Sequence, residues 1–253
     1  MGFRINGGED MATNAVRTTQ LRPTIHKRTE DIFFGMLTAL VIVAVFIGFA
    51  RTYFLAGMFG AKLPSWLVHL HGALFTSWIV LLAAQVVLVS TGRVRWHMRL
   101  GVLGMFLAPL MVVVGFATLV AAVRRQFAPP APLRIILVAD TLTLSMFAGL
   151  VLWALLARRD AAAHKRLMLL ATCIILAPAI SRWSYHFMDS DAAFFIVRDS
   201  FVVFLVGYDL WARRSLHRAT VWGVLLTAAW QLTYRPLAHS GLLDRVVVWL
   251  QKA

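Results

Sequence analysis

Cysteine is almost missing from this chain: Cys173 is the only one, which excludes an intrachain disulfide and leaves a core-packing role inside its apolar run. Charge is scarce as well. Charged residues make up 14% of the sequence, against roughly 25% in a soluble domain. Acidic residues are scarcer still, 11 against 25 Lys and Arg. No Walker A, HExxH or GxSxG motif occurs, so the hydrolases built on those motifs have no support, and the balance leans away from an enzyme without deciding it. The last long apolar stretch holds no lysine, so a retinal Schiff base has no attachment point there.

What is present is apolar residues in long runs, 60% of the chain being hydrophobic. A bilayer core of about 30 Å needs about 20 such residues in a helix. Seven stretches of roughly that length run over 32–52, 66–90, 98–123, 133–157, 165–188, 193–212 and 219–235. The expected fold is an all-α, integral membrane bundle of seven transmembrane helices, the seventh being the shortest. Residues 1–30 are polar and expected to form a disordered cytoplasmic tail, residues 31–236 the transmembrane domain, and 237–253 an interfacial C-terminal segment. The first apolar run is too long for the 7–15-residue core of a signal peptide.

The formal charge of +14 would suggest nucleic acid in a soluble protein, but here the cations lie in short loops between apolar runs. That placement fits anionic phospholipid headgroups of a lipid bilayer and argues against nucleic acid. Fifteen Lys and Arg fall on the side of the N-terminal tail and eight on the other, with Arg182 and Arg198 inside spans. The positive-inside rule then puts the N-terminus in the cytoplasm and the C-terminus outside, as expected for a protein of a bacterial inner membrane.

Three loops on the cationic side repeat a pattern: GRVRWHMRLG (92–101), ARRDAAAHKRLM (157–168) and ARRSLHRAT (212–220). Each carries basic residues, a histidine and another basic residue before a new span. Cations at a helix N-terminus oppose its dipole, so an anionic partner is expected, and lipid phosphate supplies one. The alternative is that His97, His164 and His217 converge as a metal site.

The opposite half holds a second group. In HLHGALFTSW (69–78) the two histidines are about 200° apart around a helix, so His69 and His71 cannot share a face. His71 continues through Trp78 and Gln85 at sevenfold spacing, the stripe expected to face the bundle. In PAISRWSYHFMD (178–189) Arg182, Tyr185, His186 and Asp189 fall on one helix face, and Pro178 is placed to kink the helix before them. Asp140 lies at a matching depth in the fourth span, where an unpaired acid is costly, so a pair with Arg182 is expected. His71, Asp140, Arg182, Tyr185 and His186 form one polar layer in this reading. Snorkelling of Arg182 and an aromatic belt of Trp66, Trp183 and Tyr185 are the plainer alternatives.

Together HLHGALFTSW, Gln85 with LVSTGRVRWHMRLG (88–101), HKRLMLLAT (164–172) and HRATVWG (217–223) resemble a family of uncharacterised bacterial multi-spanning, seven-helix membrane proteins. That resemblance implies a fold and no activity. The HKRLM segment alone is similar to small membrane proteins of haem-copper oxidase maturation, which implies haem or copper.

The leading expectation is therefore a redox or maturation role: haem b or copper held by His71 and His186, His69 in reserve, Arg182 and Asp140 tuning the site, and a respiratory membrane complex as partner. A proton-coupled transporter or channel using Asp140 and Arg182 is the second, and a structural or lipid-binding subunit the third.

Overall fold

The computed structural model describes residues 7–61, 65–125, 130–183, 191–241 and 244–252, with side chains described from residue 27 except at 130–132, 191, 244 and 252. The described residues are helical and include no strand. The helices are α1 (Gly7–Phe49), α2 (Trp66–Ser90), α3 (Val94–Arg124), α4 (Pro130–Leu156), α5 (Ala161–Ile174), α6 (Ala177–Ser181), α7 (Asp191–Arg213), α8 (Arg218–His239) and α9 (Asp244–Lys252). Five stretches are long and apolar enough to cross a membrane: Lys27–Phe54, Trp66–Ser90, Val94–Arg124, Leu133–Leu156 and Ala161–Ser181. They match the first five expected spans. The sixth and seventh also form long helices, α7 and α8, but neither is among those five.

Helix ends follow local chemistry. Gly92 ends the turn after α2 at φ 74°, a left-handed conformation that only glycine adopts cheaply. Asp160 starts α5: its Oδ1 accepts the N–H groups of Ala162 at 3.0 Å and Ala163 at 3.1 Å, satisfying two of the donors that a helix start leaves open. The Ala163 bond holds this carboxyl below its usual range against an opposing desolvation, with the Ala162 bond adding to it. His217 plays the same part for α8, its Nδ1 accepting Ala219 N–H at 3.1 Å.

Side-chain ties show that successive helices alternate in direction. At one end Tyr53 meets His69, and Arg125 donates to Ser65 Oγ at 3.2 Å, joining the start of α2 to the end of α3. At the other end, which carries the three basic hairpins, Arg166 of α5, Asp209 of α7 and Thr220 of α8 interlock. Lys165 pairs with Glu30 and lies over the Phe34 ring, fastening α1 to the same end.

Helix α5 is the hub. In the α5–α6 passage 67% of the most apolar stretch is buried inside the bundle, against 22–39% in the other four candidate spans. Leu167, Leu170, Ala171 and Cys173 are buried there, where Cys173 packs as an apolar residue, and Trp78 of α2 donates to Thr172 Oγ1 at 3.1 Å. Large apolar side chains such as Val80, Phe106, Val113, Leu152 and Val203 point outward, the arrangement a lipid-facing surface requires. The passage breaks at Ile175 and Leu176, just ahead of Pro178 at the start of α6, as expected where proline cannot donate to the turn before it. Helix α9 spans nine residues, about 13 Å at 1.5 Å per residue, too short to cross. It lays Val247 and Leu250 into a cluster with Leu119, Val123, Leu133 and Leu137.

Candidate functional site

The polar groups fall into two layers, one at the end opposite the basic hairpins and one among them. In the first layer α2 presents His71 half-buried, its ring stacked on Phe75 with centroids 4.1 Å apart. Stacking on a residue one turn ahead fixes the ring plane, and Nδ1 is buried without a hydrogen-bond partner. Helix α4 presents Asp140 ten residues after Pro130, about 15 Å along the axis. Helix α6 ends at Arg182, whose Nη1 donates to Pro178 O at 2.5 Å and whose guanidinium lies over the Phe49 ring at 4.6 Å.

The Arg182 charge acts on both the His71 imidazole and the Asp140 carboxyl. Three of the five residues expected in the layer therefore share one electrostatic neighbourhood, contributed by three elements. Tyr185 and His186 lie outside the described residues, as does Asp189, so the expected pairing of His71 with His186 does not bear on the described structure. His69 turns away from His71 to Tyr53, with Nδ1 and the phenol oxygen 3.1 Å apart. That matches the helical argument that the two histidines of HLHG serve different partners. Trp78, next on the His71 stripe, is buried, and Gln85 Oε1 is buried without a partner.

The same layer extends through residues that the sequence did not single out. On α7 Arg198 is buried and lies over the Trp230 ring of α8 at 4.0 Å. Trp230 Nε1 donates to Thr143 Oγ1 at 3.2 Å and is 3.3 Å from Ala139 O, both on α4. Tyr234 stacks on Trp230 with centroids 4.5 Å apart and accepts from Arg235 Nε at 2.7 Å. Asp199 receives Gln231 Nε2. The available signal was adjacent opposite charges, Arg198 and Asp199, within an apolar run, a combination that membranes make expensive.

The second layer sits among the basic hairpins. His97 and His164 face each other with ring centroids 6.3 Å apart; His164 Nδ1 bonds Ala154 O at 2.8 Å, and His97 Nδ1 is buried without a partner. His217 instead caps its own helix. Burial, with the charges of Arg166 and Arg213, holds the His217 imidazole below its ordinary range, which keeps Nδ1 an acceptor. Among the described residues no three of His, Cys, Asp or Glu group closely enough to hold a metal ion. The three histidines His97, His164 and His217 thus form no such group: His97 and His164 are neighbours, while the Nδ1 of His217 is taken by its helix start.

Beside it is the most enclosed charge pair. Arg166 and Asp209 are both 0% exposed. Asp209 Oδ1 accepts from Arg166 Nε at 3.1 Å and from Nη2. Its Oδ2 accepts His217 N–H at 3.0 Å and Thr220 O–H at 2.5 Å, while Arg166 Nη1 donates to Ala162 O at 2.9 Å. A buried pair is stable only when its remaining donors and acceptors are met, and here the bonds of Asp209 join α7 to α5 and α8 while Arg166 also donates within α5. This reads as a clamp.

No family model, no curated protein and no solved structure gives a significant match to this chain.

Proposed function

We propose that this chain is a proton-coupled transporter or channel of a bacterial inner membrane, with seven crossings and a cytoplasmic N-terminus. The observation that carries the reading is the Arg182 charge acting on both Asp140 and His71 at the far side of a helix broken at Ile175 and Leu176, ahead of Pro178. Ionisable groups inside a bundle mark ion or substrate paths, and interrupted helices at mid-depth form binding sites in many transporters. Asp140 is the proton-carrying group in this proposal, with the Arg182 charge acting on it; His71 is a buried imidazole on the same side, its Nδ1 without a partner. The Arg166–Asp209 clamp closes the basic end while the outer-half layer is engaged.

The test is proton flux in vesicles. Purified protein is reconstituted with a pH-sensitive dye inside, and an imposed gradient should drive flux that Asp140→Asn abolishes and Asp140→Glu retains. Equal flux in wild type and Asp140→Asn would sink the reading.

A second reading keeps haem b or copper at His71 and His186, in electron transfer or maturation of a respiratory complex. One observation favours it: the His71 Nδ1, buried and without a partner, has the ligand chemistry such a group requires. Bound haem would supply one-electron chemistry, and His71 would hold it. A purified protein with a Soret band that His71→Ala removes would favour this reading over transport.

A further inference from the structure

Arg214 holds a backbone conformation that its side chain makes costly. Among the described residues it is the only one besides glycine with a positive φ, 54°. Its N–H donates to Leu210 O at 3.1 Å, the bond that closes a helix at a left-handed residue, a place that glycine usually takes because a Cβ crowds there. A cation suits the C-terminal dipole of α7, but the dipole does not call for arginine at the left-handed position itself. Strained residues of this kind cluster where a side chain has a use.

The hairpin around Arg214 concentrates charge. Residues 212–218, ARRSLHR, hold Arg213, Arg214 and Arg218 and no acid, and all three arginines are exposed. The second basic hairpin uses cations within the bundle, Lys165 on Glu30 and Arg166 on Asp209. Here the three guanidinium groups make no hydrogen bond to a described residue. Asp160, whose carboxyl feels the Arg218 charge, is already committed to the N–H groups of Ala162 and Ala163. The start of α8 is likewise served, His217 N–H by Asp209 and Ala219 N–H by His217 Nδ1. An anion at this hairpin is therefore held by arginine side chains rather than by the helix start.

We propose that this hairpin is a headgroup site for an anionic phospholipid, whose phosphate is taken by Arg213, Arg214 and Arg218. Guanidinium forks suit phosphate, and a phosphate beside Arg218 offsets the conflict between that cation and the dipole of α8. Lipid is favoured over free phosphate by the apolar groups next to the arginines. Trp211 is 71% exposed at the end of α7, Trp222 is 50% exposed at the start of α8, and Leu216 is 42% exposed between them. Tryptophan collects at the boundary of headgroups and acyl chains, and a soluble anion leaves this apolar surface uncovered. The site stands apart from proton transport; only its assignment to the cytoplasmic leaflet rests on the orientation proposed above.

The experiment uses the full chain purified in a neutral detergent. The thermal unfolding midpoint is followed as phosphatidylglycerol, phosphatidylcholine or inorganic phosphate is added at constant ionic strength. Phosphatidylglycerol should raise the midpoint saturably in wild type, and the other two should not. Arg214→Gly and Arg218→Gln should each need about five-fold more phosphatidylglycerol for half the rise, the loss of one cation beside an anionic headgroup. Arg93→Gln, in the first hairpin, should need no more than wild type. Without lipid, Arg214→Gly should unfold no lower than wild type, because glycine suits the left-handed turn; a lower starting midpoint would make Arg214 a structural cap and overturn the proposal. An equal rise with phosphatidylcholine, or a rise that inorganic phosphate reproduces, also overturns it. So does an undiminished response in Arg214→Gly and Arg218→Gln, or a loss in Arg93→Gln as large as theirs.

Discussion

Asp209 is the residue on which most of the basic end depends, because one carboxylate serves three residues: Arg166 from the preceding hairpin, and Thr220 and the backbone of His217 from its own. Removing its charge leaves Arg166 ionised at 0% exposure. Breaking a buried pair from one side costs about 3–5 kcal/mol, so Asp209→Asn should lower the unfolding free energy by about that amount in a detergent-denaturant titration, whereas Asp199→Asn, at a half-buried position, should cost less. Replacing both Arg166 and Asp209 by leucine should recover only part of the loss, since Thr220 and the His217 N–H then lack their acceptor. His217 gives a pH dependence. Its folded-state pKa is depressed below the usual 6.5, so the unfolded chain binds the proton more readily. The stabilisation is complete above about pH 6.5 and is lost as pH falls from there through the folded pKa. In His217→Asn the side-chain oxygen keeps the cap without titrating, and the stability curve should be flatter below pH 6.5 than in wild type; parallel curves would refute the assignment.

Between elements, small residues set how closely helices approach, as expected where lipid offers no hydrophobic drive for association. A Cβ on Gly48 of α1 would fall 2.4 Å from Ala179 O and 2.8 Å from Ala179 Cα, backbone atoms of α6, while one on Gly35 of the same helix would meet nothing within 4 Å. Gly48→Ala should therefore push α1 from α6 and cut stability or function, and Gly35→Ala should leave both unchanged or raise stability slightly through helix propensity. A midpoint for Gly48→Ala equal to wild type would contradict the packing. At this scale the sequence was legible where one signal dominated. Runs of apolar residues marked 66–90 and 133–157 almost to the residue, and Pro178 announced the break in the fifth passage. The Arg166–Asp209 clamp was not legible: Arg166 counts as one more loop cation in its hairpin, and Asp209 lies 43 positions away. Nothing in either local pattern names the other. The outer-half layer was half legible for the same reason. Asp140 and Arg182 stand out as charges in apolar runs, but Arg198 gains meaning only from Trp230 and Thr143 on two other helices.

At the scale of the molecule the open question is whether α7 and α8 cross. They carry Arg198, Asp199 and Asp209, or Gln231 and Arg235, which is why they are less apolar than the five earlier stretches. Those groups do not face lipid unaided: Asp209 is enclosed, Arg198 lies against Trp230, and Asp199 is held by Gln231. A polar side chain satisfied within the bundle imposes little of the penalty that a hydropathy sum assigns it. Their lengths, 23 and 22 residues, correspond to about 33–35 Å at 1.5 Å per residue, enough for a hydrocarbon core of about 30 Å. The hairpin between them shares its end of the bundle with the other two basic hairpins, and Trp230 in the far half of α8 lies against Ala139 and Thr143 of α4. Both should therefore span, placing residue 215 and residue 240 on opposite sides. Ser215 and Ser240 are exposed, and the native Cys173 is buried, so single substitutions Ser215→Cys and Ser240→Cys can be labelled with a membrane-impermeant maleimide against a low background. Ser240→Cys should label in intact cells and Ser215→Cys only after permeabilisation, as the fifteen-to-eight cation bias requires. Labelling of both from the same side would leave a bundle of five crossings with α7 and α8 folded against it, and would remove Arg198 from the membrane interior altogether.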